Sequence, residues 1–375
     1  MAAIFLWACW FIQITLVKLA PSELGVSVKT LKICLLLMCG WFNQALASNG
    51  VILQYHHVAD DTPPVTSVTA EQLRSHLQYL QDEGFDVLPL PDMIKAIAEN
   101  QPLPDKAVAI TFDDGYRDIL QNGHPILREF AFPYTIFVNP AQIGVQSDQL
   151  SWDDIALMGQ QGVTFANHTQ DHIHLLQRLP GEDTQQWLTR IRDNILSAEQ
   201  QLADKVGYSL RYLAYPYGEY DENLQALLRE ENFVGFAQFS GAISSASDFT
   251  ALARFPAAGI YANLQTLRVK LNSLAMPVLT NSLSSPVVLE SQFPSPQLTI
   301  DLGDIRPRQF RCYINGDVVD TQWQENQVTV LSGDLALNPG RSRINCTAPS
   351  KQQPTRYYWF SQPLFKPDQN GRWRD

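Results

Sequence analysis

"AVAITFDDG", residues 107–115, decides how this chain is read. The first six residues read as an apolar strand, and that strand stops on two adjacent acids, Asp113 and Asp114, followed by Gly115. Neighbouring side chains on an extended strand point to opposite sides, but at its end a sharp turn permitted by Gly115 can bring both carboxylates into one pocket. Two carboxylates held close are not both comfortably charged unless a cation neutralises one. A helix N-cap would explain one of the aspartates but not the pair.

Outward from this stretch, short apolar runs alternate with helical patterns. "VILQYH" (51–56) precedes a helix that starts at a Thr69/Gln72 capping box and runs to about Asp82. "FDVLPL" leads to a helix over 91–99 with Pro91 in its first turn, and 107–112 leads to one over roughly 116–130. "YTIFV" (134–138) precedes a helix over 152–160, and "VTFAN" (163–167) precedes an amphipathic stretch over 182–206. "YLAYP" (212–216) leads to 221–231, and "VGFAQF" (234–239) to a helix over 263–273. Repeated strand-then-helix units predict an α/β fold with a parallel sheet, and their regularity favours a (β/α) barrel over an open sheet.

Past Leu274 the helical period disappears. "NSLSSP" (281–286) reads as a linker, and residues 287–375 show alternating runs with turn signals at Asn315-Gly316 and Pro339-Gly340, the pattern of a small all-β, sandwich-like domain. The large domain is thereby expected over 48–280. A chain of 375 residues with 45% hydrophobic content suffices for one large and one small core. The net charge of −11, without a run of five basic residues, argues against nucleic acid and disfavours anionic partners.

The first 47 residues read as a leader. Lys29 and Lys32 precede an apolar run from Ile33 to Phe42 and then Ala45-Leu46-Ala47, the layout of a secretory signal cleaved after Ala47. Export to the periplasm or beyond is therefore expected, with association with the cell envelope left open. Residues 1–20 read either as a membrane anchor or as sequence upstream of a true start near Val26 or Val28. Only Cys312 and Cys346 remain after the leader, and in an exported protein they are expected to form a disulfide, worth roughly 3–4 kcal/mol.

Three further polar clusters follow apolar runs. "NHTQDHIHL" (167–175) sets His168 and His172 four apart, a spacing that on one helical turn lets both imidazoles converge on a metal, with His174 as a fallback ligand. With an aspartate from another strand end, this supplies an Asp-His-His set that leaves positions for water and substrate. "YLAYPYGEYD" (212–221) and "LQYHHV" (53–58) complete the group, and in a barrel the carboxyl-end rim is where active sites form. All seven histidines, the last being His174, precede the midpoint of the chain.

On these residues the chain resembles the polysaccharide deacetylases with the NodB-homology domain, carbohydrate esterase family 4. "TFDDG" (111–115), "HTQDH" (168–172) and "YPYG" (215–218) match three of that family's motifs over about residues 50–275. The resemblance implies a distorted (β/α) barrel and the removal of acetyl groups from N-acetylated sugars. It makes Asp113 the general base and Asp114, His168 and His172 the ligands of a divalent metal. Zn²⁺ suits such a set, and Co²⁺, Ni²⁺ or Fe²⁺ are compatible. It also implies an oxyanion contact from the backbone N–H of Tyr217. Tyr55, Tyr215 and Trp152 are the expected substrate contacts.

The family's usual late histidine acid has no counterpart after His174. The chain instead resembles the branch with permuted motifs that includes poly-β-1,6-N-acetylglucosamine deacetylases of biofilms, which makes His56 the acid and leaves His57 unassigned. Ala214 stands where many members carry an arginine that orients the base. Peptidoglycan or chitin-type oligosaccharides as substrate, or carbohydrate binding without catalysis, are the alternatives.

Overall fold

The computed structural model describes residues 49–374; the predicted leader lies outside the described residues. The chain enters at β1 (Gly50–Tyr55), passes through the short strands β2 (His57–Val58) and β3 (Ser67–Val68), and continues through α1 (Ala70–Asp82), β4 (Asp86–Val87), α2 (Leu90–Ala98) and β5 (Ala107–Phe112). Then come α3 (His124–Glu129), β6 (Thr135–Val138), α4 (Trp152–Gln160), β7 (Thr164–Asn167), α5 (Thr184–Val206), β8 (Tyr212–Ala214), α6 (Glu222–Glu230), β9 (Val234–Phe236), β10 (Phe255–Pro256) and α7 (Leu264–Leu271). The first large sheet has the order β10-β1-β5-β6-β7-β8-β9, with β4 also on β5, and every pairing in it is parallel. It is a distorted half-barrel, continuous from β10 to β9.

Local chemistry sets where the elements begin. Thr69/Gln72, Ser151/Asp154 and Asp183/Gln186 form reciprocal capping boxes at α1, α4 and α5, each satisfying backbone donors that a helix start leaves open. All six residues of β1 and all six of β5 are buried, because helices pack on the outer face while α2 and side chains from opposite strands, Phe137 on Phe236 among them, fill the inner one. The helix expected over 116–130 is interrupted: residues Ile119–Gly123 form a wide π turn before α3. Pro125, in the first turn of α3, has no N–H to carry a regular helical ladder back through that segment.

The C-terminal part is a second eight-stranded sheet, mixed in direction, which begins at Ser273, ahead of the linker expected at 281–286. Its strands are β11 (Ser273–Ala275), β12 (Val278–Asn281), β13 (Gln297–Ile300), β14 (Arg311–Ile314), β15 (Asp317–Gln324), β16 (Gln327–Leu331), β17 (Gly340–Pro349) and β18 (Tyr357–Lys366). They pair in the order β11-β18-β17-β14-β15-β16-β13-β12. The first half of β15 pairs with β14 and the second half with β16, so this long strand carries the sheet around its own core of Leu298, Ile300, Phe310, Val328, Ile344 and Leu364. Cys312 and Cys346 face each other across β14 and β17 and are joined by a disulfide. β11 and β12 escape sequence reading because they are short and follow α7 almost directly.

The C-terminal sheet packs on the half-barrel through Trp359 edge-on to Phe255, Phe365 edge-on to Tyr220, and Arg356, which donates to the Asp105 carboxylate at 2.8 Å. Among the described residues no helix is long and apolar enough to cross a membrane.

Candidate active site

Parallel strands end on a common edge, and the polar clusters meet there. After β5 the backbone turns through two left-handed residues, Asp114 at φ +71° and Gly115 at φ +70°. A Cβ on Gly115 would lie 3.0 Å from Val138, so a side chain there would be crowded as well as strained. The turn separates the two aspartates by environment.

Asp113 is completely buried and fully partnered. Arg254 Nη1 and Nη2 donate to its two oxygens at 2.7 and 2.8 Å, a bidentate fork, and Gln54 Nε2 donates to Oδ2 at 2.7 Å. Burial by itself would raise the Asp113 pKa, but Arg254, through its charge and hydrogen bonds, is the largest of the opposing influences that together hold the carboxyl below its ordinary value. Arg254 is itself entirely buried, anchored by Nε donating to the Ala237 carbonyl at 3.1 Å. The arginine that Ala214 lacks is thus supplied from the segment entering β10. Ala214 has a different task, its carbonyl accepting from His168 Nδ1 at 2.8 Å.

That hydrogen bond fixes a tautomer. A carbonyl only accepts, so Nδ1 carries the proton and Nε2 of neutral His168 is left with its lone pair. His168 Nε2 lies 3.1 Å from Asp114 Oδ1, and His172 Nε2 lies 3.2 Å from the same oxygen. Neither His168 Nε2 nor Asp114 Oδ1, both buried, has a well-aligned hydrogen-bond partner. Electron-pair donors facing one another in a buried site fit a cation between them, and the ligand atoms of Asp114, His168 and His172 all lie within 4.8 Å of one another.

The expected helical turn over 168–172 is not what brings the histidines together. The segment is an irregular loop with Thr169 at φ +69° and His172 at φ +57°. Asn167 Oδ1 accepts from Thr169 N, Thr169 Oγ1 accepts from His172 N, and Asn139 Nδ2 donates to the carbonyl of His168. Side-chain bonds to backbone replace the helical ladder, so the four-residue spacing acts through a loop rather than a shared helix face.

His56 and His57, adjacent on extended backbone, part company. His56 Nε2 lies 3.9 Å from Asp113 Oδ2 with 16% of the side chain exposed. Burial lowers its pKa below the ordinary histidine value against the opposing pull of Asp114 and Asp113. His57 turns away to Asp118, Nδ1 to Oδ2 at 2.7 Å, and stacks on Tyr116 at 3.6 Å between ring centroids. Tyr116 in turn hydrogen-bonds Asp114, which with burial pushes its hydroxyl pKa up.

Two expected substrate contacts are corrected. Tyr55 is fully buried with its hydroxyl on His76 Nδ1 at 3.0 Å, and Tyr215 is fully buried with its hydroxyl donating to the Thr250 carbonyl at 2.7 Å. Tyr55 is the last residue of β1 and Tyr215 follows β8, and both rings pack into the apolar core instead of facing the rim. Trp152 is half-buried at the start of α4 with Lys205 Nζ 5.6 Å above its ring. Tyr217 adopts φ +58° at the corner after β8 and stacks on His174 at 3.9 Å, while His174 Nδ1 pairs with Glu219 at 2.9 Å instead of joining the Asp-His-His cluster. Sequence reading missed Arg254 and Gln54, whose only signal was a polar side chain set among apolar neighbours in "ALARFPAA" and "VILQY".

A buried, arginine-clamped carboxylate beside an Asp-His-His cluster, at the carboxyl edge of a parallel half-barrel, is the layout of a hydrolytic site. Residues 100–235, which run from just before β5 to β9 of the half-barrel, match the family described as polysaccharide deacetylase. The poly-beta-1,6-N-acetyl-D-glucosamine N-deacetylase of Escherichia coli (strain K12) is 23% identical over 240 residues, 54% of this chain and 36% of that one. The enzyme of the same name from Staphylococcus epidermidis is 28% identical over 191 residues, 48% of this chain and 65% of that one. This chain therefore spans about a third and just under two thirds of these two relatives. In fold, the Streptococcus pyogenes deacetylase PplD, solved with acetate, superposes with a TM-score of 0.54 at 23% identity, covering 60% of this chain and 99% of that one.

Proposed function

We propose that the protein is an exported, metal-dependent deacetylase of N-acetylhexosamine polysaccharide, with a poly-N-acetylglucosamine-like polymer as substrate. The observation that carries this is the division of labour between adjacent aspartates: Asp113 clamped by Arg254 and Gln54 beside His56, Asp114 turned to His168 and His172. Relatives named for poly-β-1,6-N-acetylglucosamine support the choice of polymer.

Bound by Asp114, His168 and His172, a divalent cation, with Zn²⁺ the best match to the ligand set, supplies a Lewis acid and lowers the pKa of water from about 15.7 toward ~7. Asp113, kept ionised by Arg254, takes the proton of the water that adds to the acetamide carbonyl. The backbone N–H of Tyr217 donates to the oxyanion. His56 then delivers a proton to the departing amine nitrogen, and its depressed pKa makes the protonated imidazole a readier donor.

Acetate release from β-1,6-linked and β-1,4-linked N-acetylglucosamine oligomers and from peptidoglycan, with and without chelator, tests the reading. Release from the β-1,6 oligomers, abolished by chelator and restored by added metal, is expected. Preferential release from peptidoglycan or β-1,4 oligomers would replace the substrate, and no release from any of them would point to binding without catalysis.

A further inference from the structure

We infer that the C-terminal sheet is part of the catalytic apparatus, with Arg341 of β17 acting as a positioning residue for the Tyr217 corner. The inference rests on the proposed deacetylase reading, in which the Tyr217 N–H meets the oxyanion.

The corner is a backbone that needs outside ties. Tyr217 and Gly218 are left-handed in succession, at φ +58° and +72°. A tyrosine gains nothing locally from that conformation, so the surrounding structure must impose it. On the half-barrel side, the Tyr217 ring lies flat on His174, with an interplanar angle of 13°, and edge-on to His172 at 4.7 Å. His174 is itself held by the buried carboxylate of Glu219. From the other side, Arg341 Nη1 donates to the Tyr217 carbonyl at 2.7 Å and to Gln238 Oε1 at 3.3 Å. Gln238 is also the residue whose side chain a Cβ on Gly218 would strike, at 2.6 Å. Arg341 therefore braces the corner and the segment behind it with one guanidinium.

Arg341 has an exposed side chain on a backbone fixed in the β17–β18 ladder. Its partner across β17 and β18 is Phe365, which packs edge-on against Tyr220, three residues beyond Tyr217. One cross-strand pair of the C-terminal sheet thus meets the corner twice, by a hydrogen bond at its apex and by an aromatic contact at its exit. A carbonyl held in place fixes the tilt of the tyrosine between its two peptide planes, and one of those planes carries the N–H assigned to the oxyanion. Small displacements of such a donor cost rate rather than binding, because the oxyanion forms only as the reaction proceeds.

The test compares kcat and KM for acetate release in Arg341→Ala, Arg341→Lys and Arg343→Ala, with metal content measured for each. Arg343 lies two residues along the same strand and donates to the Tyr261 hydroxyl, so it controls for general docking of the two sheets. Arg341→Ala is expected to lose about tenfold in kcat with KM changed less than twofold and metal content unchanged. Arg341→Lys should recover part of the loss by restoring a cationic donor, and Arg343→Ala should retain kcat. An unchanged kcat in Arg341→Ala, an equal fall in Arg343→Ala, or a rise confined to KM would overturn the inference. The unaltered protein in the same assay separates the two levels: no acetate release from any of the oligomers would remove the deacetylase reading and the inference with it, whereas normal release with kcat unchanged in Arg341→Ala would remove the inference alone.

Discussion

The two eight-stranded sheets of this chain handle polar groups in opposite ways, and the reason is strand direction. In the half-barrel, parallel strands end on a common edge, so Tyr55-His56, Phe112-Asp113, Asn167-His168 and Ala214-Tyr215 mark the ends of strands that all point the same way. Clusters far apart in sequence converge there because their strands end there, and left-handed residues such as Asp114, Thr169 and His172 then aim the side chains. In the C-terminal sheet, antiparallel neighbours turn back on each other, so their ends alternate between two edges. Its buried positions alternate along the strands and enclose an apolar core closed by a disulfide. Convergent chemistry comes with the parallel sheet and stiffness with the antiparallel one.

The sharpest way to break this contrast is to remove the fully buried cation of the half-barrel. Arg254→Met should destabilise the fold by about 3–5 kcal/mol in denaturant unfolding, because Asp113 is left as a buried charge without its fork. The same variant should shift the acid limb of kcat/KM to higher pH. Arg254 stabilises the carboxylate, so its loss lets burial raise the Asp113 pKa and protonates the base sooner as pH falls. Unchanged stability together with an unmoved acid limb would mean that the pair does not hold the base.

Next in size is the C-terminal disulfide, which closes a sequence separation of 34 residues. Replacing Cys312 and Cys346 by alanine should cost about 3–4 kcal/mol of stability, with acetate release retained at temperatures where the variant remains folded. Loss of release from a folded variant would tie the disulfide to the site and blur the division between the sheets.

Smaller again is the difference between neighbouring histidines. His56→Ala should slow turnover by about a hundredfold, roughly 2.7 kcal/mol, whereas His57→Ala should cost about 1 kcal/mol of stability from the lost Asp118 contact and keep most of the activity. The reverse pattern in the two variants would assign the proton to the wrong ring.

Much of this was legible before any coordinates. The alternation of apolar runs and helical patterns carries the parallel sheet, and Thr69 with Gln72 marks the start of α1 because a capping box is a local reciprocal bond. "TFDDG" and "HTQDH" mark the two clusters that the fold brings together, since each follows its strand directly. Arg254 was out of reach: it lies 141 residues from Asp113, and only the closing of the sheet through β10 on β1 sets it against that carboxylate. The orientation of Tyr55 and Tyr215 was equally hidden, because one residue of register decides whether a ring faces the core or the rim. The loop that aims His168 and His172 depends on left-handed backbone at Thr169 and His172, which neither spacing nor propensity announces.

Acetate release by Asp113→Asn, measured beside the unaltered protein with the metal content of both determined, tests the separation of the two aspartates most directly. A fall of about a thousandfold with metal still bound is expected if, as proposed, Asp113 is the base and Asp114 a ligand. Undiminished release, or a loss of metal from the variant, would contradict that assignment.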